Sequence, residues 1–250
     1  MAKAKGNKRY FIVGSLAFLL FLVAMLPLNV VYQQLNPNLP IRVQSVSGTL
    51  WSGSIVASHP MVSQFTVNWE MSPASLFSLS LSPEVEIQSD LVQLAFQADI
   101  NPVTMNVSVT EGKGYLSSSV LNQALKAQRV KLSGDLELSN LNLTANLNER
   151  LASEATGQLV WMGGTVNYPK GRKVQTTTLP MLVAKISDQS GSVLIDVATV
   201  EGASVASANV KTDGWAGIAV KKRMIDLVGE PWPSKADADS VVFEMSEKVF

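Results

Sequence analysis

The chain has 250 residues, and its 20 Lys+Arg balance its 20 Asp+Glu, so the formal net charge is zero and no basic field is present to gather nucleic acid. Cys is absent, which excludes disulfides, thiol nucleophiles and cysteine-ligated metals, and a single His without Cys excludes nearly every zinc pattern. Charged residues make up only 16%, against about 25% in an average soluble protein.

The chain opens with a basic segment, residues 1–10, carrying Lys3, Lys5, Lys8 and Arg9. Residues 11–31 carry no charged side chain. At 1.5 Å per residue, about 21 helical residues reach roughly 31 Å, the thickness of a bilayer's hydrocarbon core. Tyr10 and Tyr32 flank the run as headgroup-level aromatics do, and the next cation is Arg42. This asymmetry predicts a single transmembrane helix with a cytoplasmic N-terminus and the bulk of the chain across the membrane. A cleaved signal peptide has a shorter apolar core and small residues at its exit, whereas this run leaves through bulky Leu and Val. Residues 32–40, with two prolines, read as a linker.

Beyond the linker the apolar residues alternate. FTVNW (65–69), EVEIQ (84–88), VQLAFQADI (92–100) and VTMNVSV (103–109) each place every second residue on one face, the signature of half-buried strands. Ser72-Pro73 predicts a short helix start ahead of ASLFS, and 117–128 shows helical spacing. Strands resume in 131–147 and recur at 157–166, 174–178, 182–188, 192–200 and 203–211. An amphipathic helix is predicted after Asp213 through WAGIAVKKRMIDLV, stopped by Gly229. VVFEMSEKVF (241–250) reads as a last strand. The expected fold is mainly β: an antiparallel, curved and duplicated sheet domain with a few short helices, in two lobes at 41–150 and 151–250.

The duplication rests on a weak internal repeat. Gly48-Thr49-Leu50-Trp51-Ser52-Gly53 returns, with one insertion, from Gly157 through Leu159 and Trp161 to Gly163. Glycine beside a Trp suits a strand that bends or lets another backbone approach. These eight positions (Gly48, Thr49, Leu50, Trp51, Gly53, Gly157, Leu159 and Trp161) are the structural motif; no residue is nominated as catalytic, cofactor-binding or metal-binding.

Other candidates read as structural. His59, in ASHPM, is a turn residue. Glu84 with Glu86, and Asp135 with Glu137, alternate on strands and are expected on solvated faces. Asp237 and Asp239 lack the spacing of a calcium loop. Gly112-x-Gly114 and Gly163-Gly164 lack a following G-K-[ST] and read as turns. Lys221, Lys222 and Arg223 are expected on a solvated helix face.

The anchor, G-T-L-W-x-G, the W-x-x-S-P-x-x-L-F segment from Trp69 to Phe77 and the second G-x-L-x-W, in that order, resemble the general secretion pathway protein N family, also called type II secretion system protein N. The resemblance implies a non-enzymatic inner-membrane component, facing the periplasm and binding other inner-membrane components of the machine that exports folded proteins through the outer membrane. It implies no catalytic residue, cofactor, nucleic acid or small-molecule substrate. G-T-L-W-x-G also resembles strands of AsmA-type envelope proteins, which implies as the alternative a lipid-binding or lipid-transfer protein.

Overall fold

The computed structural model describes residues 27–35, 41–78, 80–148, 151–189, 192–233 and 235–248, with residues 10, 11, 14, 15 and 25 individually. A short helix, α1 (Leu28–Leu35), precedes the sheet. The first half then supplies β1 (Arg42–Gly48), β2 (Ser52–His59), β3 (Ser63–Glu70), β4 (Glu84–Gln88), β5 (Val92–Asn101) and β6 (Asn106–Leu116). After α2 (Ser118–Ala124) come β7 (Lys131–Leu132), β8 (Leu136–Asn146) and β9 (Leu151–Trp161). The remainder is β10 (Gly164–Lys170), β11 (Lys173–Leu179), β12 (Leu182–Gln189), β13 (Ser192–Thr199), β14 (Ser204–Val210), β15 (Trp215–Lys221), α3 (Lys222–Val228) and β16 (Val241–Lys248).

The expected mainly β, antiparallel fold is what the chain adopts. Thirteen strands form one sheet in the order β1-β2-β3-β4-β5-β6-β8-β9-β12-β13-β14-β15-β16, and β11-β10-β7 form a second. The large sheet passes from the first half of the chain to the second through the antiparallel pair β8–β9. The small sheet is fastened at β10 and β11. Tyr168 Oη donates to Glu230 at 2.8 Å, Lys170 pairs with the same carboxylate, and Thr177 Oγ1 donates to the Val228 carbonyl at 3.2 Å.

Among the described residues no helix is long and apolar enough to cross a membrane, and most of the predicted span 11–31 lies outside them. Where the span is described, Pro27 forms an extended bridge with Thr49, and α1 starts afresh behind it, with Val30 N–H donating to the Pro27 carbonyl at 3.1 Å. Residues 28–35 are therefore helical in a separate segment, where the sequence pointed to the end of a span and the start of a linker.

Three local expectations are corrected. Trp215–Lys221 is a strand, and only Lys222–Val228 is helical. The turn at Asp213-Gly214, with Gly214 at φ 84°, returns the chain as a hairpin on β14, so ladder hydrogen bonds outweigh the helical spacing. Gly112 and Gly114 lie inside β6 rather than in turns: a Cβ at Gly114 would stand 2.3 Å from Leu94 Cδ2, and one at Gly112 2.8 Å from Leu141 Cβ. They are glycines because neighbouring leucines lie over them. The predicted strand 157–166 is two strands in different sheets, broken where Gly163 (φ 77°) and Gly164 (φ 138°) turn.

Candidate functional site

Two features stand out: the turn joining β1 to β2, and one face of the large sheet. Gly48 ends β1 at φ 88°, and a Cβ there would stand 2.3 Å from the Ser52 carbonyl oxygen. Thr49 closes the turn. Its amide donates to the Ser52 carbonyl at 2.9 Å, and its Oγ1 accepts from the Trp51 and Ser52 amides, each at 3.3 Å. Leu50 is exposed at the tip, and its carbonyl accepts from Trp69 Nε1 at 3.0 Å. Trp51 is buried, and its carbonyl takes the Met71 amide at 2.7 Å, tying the chain beyond β3 to the turn. Gly53 carries the Trp69 indole, since a Cβ there would stand 2.4 Å from Trp69 Cζ2.

This turn also meets the last part of the apolar N-terminal run. Thr49 bridges Pro27, and α1 packs against β1. The motif thus joins the N-terminal segment to the strand body.

The second motif has a different geometry. Gly157 and Leu159 lie within β9, and Trp161 is its last residue. Gly157 is crossed by Leu141, whose Cα would stand 3.2 Å from an added Cβ. Trp161 Nε1 donates to the Ser133 and Gly134 carbonyls, both at 3.1 Å. Five strands separate β2 from β9, so the two motifs are not brought together. Their shared device is an indole N–H given to a loop carbonyl, made by Trp69 in the first case.

Directly opposed residues of antiparallel strands share a face. Following the register gives Val46, Ile55, Val67, Ile87, Leu94, Gly114, Leu138, Leu159, Ala184, Val197, Ala206, Val220 and Phe243. One residue from every strand of the sheet forms an apolar row with no polar side chain. At about 4.8 Å per strand the row runs for roughly 58 Å. None of its residues is fully buried, and Phe243 at the end is 53% exposed. Across β1 to β4 the opposite face carries a polar row: Ser47, Ser54, Asn68 and Glu86 oppose one another in sequence. That face holds an open hollow of about 480 Å³ lined by these residues with Glu70 and Glu84.

Glu84 and Glu86 are exposed, with Glu84 directly opposite Glu70. His59 ends β2, and its Nδ1 accepts the Met61 amide at 3.2 Å within the hairpin turn. Glu137 is exposed, but Asp135 is not free. It accepts from Tyr115 Oη at 2.5 Å and from the Ser118 amide at 2.8 Å, bracing the start of α2. The Tyr115 hydroxyl, followed by the Ser118 amide, holds the Asp135 carboxyl below the usual carboxylate range, and the same bond raises the Tyr115 phenol. Asp237 accepts the Asp239 amide at 2.9 Å, and Asp239 pairs with Arg223 at 2.9 Å. Lys222 pairs with Asp226 at 2.7 Å, so two cations of the expected basic face are neutralised within the chain. Among the described residues no group of three His, Asp or Glu side chains is arranged to hold a metal.

The model of the family described as type II secretion system, protein N, matches residues 40–224, from just ahead of β1 into α3. The chain belongs to the type II secretion system protein N family. It is a component of type II secretion and takes part in protein transport, and its partners are other components of that system. No curated protein and no solved structure matches the chain. The matched region contains the Gly48–Gly53 turn and twelve of the thirteen strands of the large sheet, and β16 lies beyond it.

Sequence reasoning missed Pro27 as the partner of Thr49 and the role of Trp69 over Gly53. It also missed the apolar row, which exists only once the register is fixed. The alternation of each strand was the available signal.

Proposed function

We propose that this member of the protein N family is a non-enzymatic scaffold held in the inner membrane by its N-terminal apolar run, with its sheet in the periplasm. Family membership carries the secretion assignment. The tether is supported by the basic residues ahead of the run and by the large apolar residues Tyr10, Phe11 and Met25, which are exposed as lipid-facing residues are. The Thr49–Pro27 bridge, which links the first strands to the last part of that run, is consistent with a sheet held close to it. A tether confines the sheet to a thin layer and raises its effective concentration around other inner-membrane components. Crosslinking in the intact envelope at native expression tests this reading. Recovery of inner-membrane secretion components is expected, and recovery of none contradicts it.

The apolar row favours a second reading, an acyl-chain-binding protein. A row that crosses thirteen strands without a polar group and stays partly uncovered suits lipid tails. Phospholipid co-purifying with the full chain by mass spectrometry, and lost in Leu138→Asp, supports this reading. A lipid-free chain contradicts it.

A further inference from the structure

The two edges of the large sheet differ. At one edge, β1 has α1 packed against it, and the turn that follows it is bridged by Pro27. At the other edge, among the described residues, β16 pairs with β15 alone, so half of its backbone N–H and C=O groups point away from the sheet toward no further described strand. β16 is exposed on both faces, with Phe243 and Met245 on one and Glu244, Ser246 and Lys248 on the other. Its edge defences are partial: it carries Glu244, Glu247 and Lys248 and its pairing with β15 is irregular between Val220 and Lys221, but it is eight residues long, has no proline, and its one cation lies at the very end.

Its sequence is also self-complementary. Read antiparallel about Ser246, Glu244 falls opposite Lys248, Met245 opposite Glu247, and Ser246 opposite itself. Every charged residue on the polar face meets its opposite sign, and opposed charges across a strand pair are stabilising. A two-fold axis at Phe243 is the competing register, but it runs out of strand. Ahead of Val241 the chain turns at Ala238-Asp239, where the Ala238 and Ser240 carbonyls are already taken by Arg223 and Lys222 amides, each at 2.9 Å. The register about Ser246 extends away from that turn.

We propose that the β16 edge is a self-association surface, on which a second copy of this chain pairs its own β16 antiparallel about a two-fold axis at Ser246. The ladder groups of each edge are satisfied by the other, and the two large sheets join into one. With the axis along the membrane normal, both N-terminal segments enter the same bilayer. The dimer stands on edge geometry and sequence, independently of the scaffold and lipid readings.

The chain has no Cys, so Ser246→Cys introduces a single thiol. Directly opposed Cβ atoms in an antiparallel pair lie about 4.5–5.5 Å apart, at the margin of disulfide reach. On mild oxidation of envelopes carrying the full chain, Ser246→Cys is expected to give a dimer at twice the mass. Glu244→Cys alone is expected to give little, and Glu244→Cys co-expressed with Lys248→Cys a mixed dimer. In the purified full chain, Glu244→Lys is expected to lower the dimer fraction several-fold, and Glu244→Lys with Lys248→Glu to restore it. No Ser246→Cys dimer overturns the proposal, as does a Phe243→Cys dimer in its place. Dimers formed equally by a thiol at exposed Ser187 indicate collision and overturn it too.

Discussion

Gly53 shows how little room the first motif leaves. The Trp69 indole lies on its backbone and gives its N–H to Leu50, so the glycine, the ring and the turn form one unit. Gly53→Val is expected to destabilise the fold by about 1–3 kcal/mol, the usual range for overpacking, read from the denaturant midpoint. An unchanged midpoint would show that the ring moves aside freely. Asp135 is the residue whose chemistry was least visible in the sequence. Strand alternation put it on a solvated face, but it stands one residue ahead of β8 and braces α2 across the chain through Tyr115 and Ser118. Its pKa is lowered on folding, so its stabilisation is complete above the unfolded carboxylate pKa and lost as pH falls through the lowered folded value. The melting temperature of Asp135→Asn is therefore expected to lie below wild type at neutral pH, with the gap closing in acid. A gap that widens in acid contradicts this account. The raised Tyr115 phenol has the opposite sign: its contribution holds below the unfolded phenol pKa and is lost in strong alkali.

The elements were legible where alternation was clean. FTVNW and EVEIQ become β3 and β4, and Ser117 caps α2 by accepting the Ser119 amide at 3.3 Å. Legibility failed where two periods compete. In WAGIAVK the small residues fit a helix face and a strand equally, and the hairpin at Gly214 decides for strand through pairing with β14 and β16. Gly112 and Gly114 failed for a related reason, because a glycine that yields space to a leucine on the next strand has the same local sequence as one in a turn. β7 survives with two residues because the Asn122 side chain acts as a strand partner. Its Nδ2 donates to the Leu132 carbonyl at 2.9 Å, and its Oδ1 accepts the Leu132 amide at 2.8 Å. Asn122→Ala removes both bonds, with an expected cost of about 1–3 kcal/mol and faster hydrogen exchange at the Leu132 amide. Unchanged exchange there would show that β10 alone holds β7.

At the scale of the molecule, one large sheet has two unlike faces. The apolar row from Val46 to Phe243 was invisible beforehand, since alternation says which residues share a face within a strand and not which face meets which across strands. The family was legible because its motifs are local and ordered, and the match over 40–224 bears that out. In the proposed arrangement the Gly48–Gly53 turn joins a membrane-held N-terminus to this sheet, and the sheet offers its faces and its β16 edge to partners. That arrangement depends on where the body sits. The decisive measurement is alkaline extraction of envelopes carrying the full chain, combined with protease added to spheroplasts. The account predicts a chain that stays in the inner-membrane pellet and loses its strand body to external protease. A body recovered in the periplasmic supernatant, or protected inside intact spheroplasts, would contradict it.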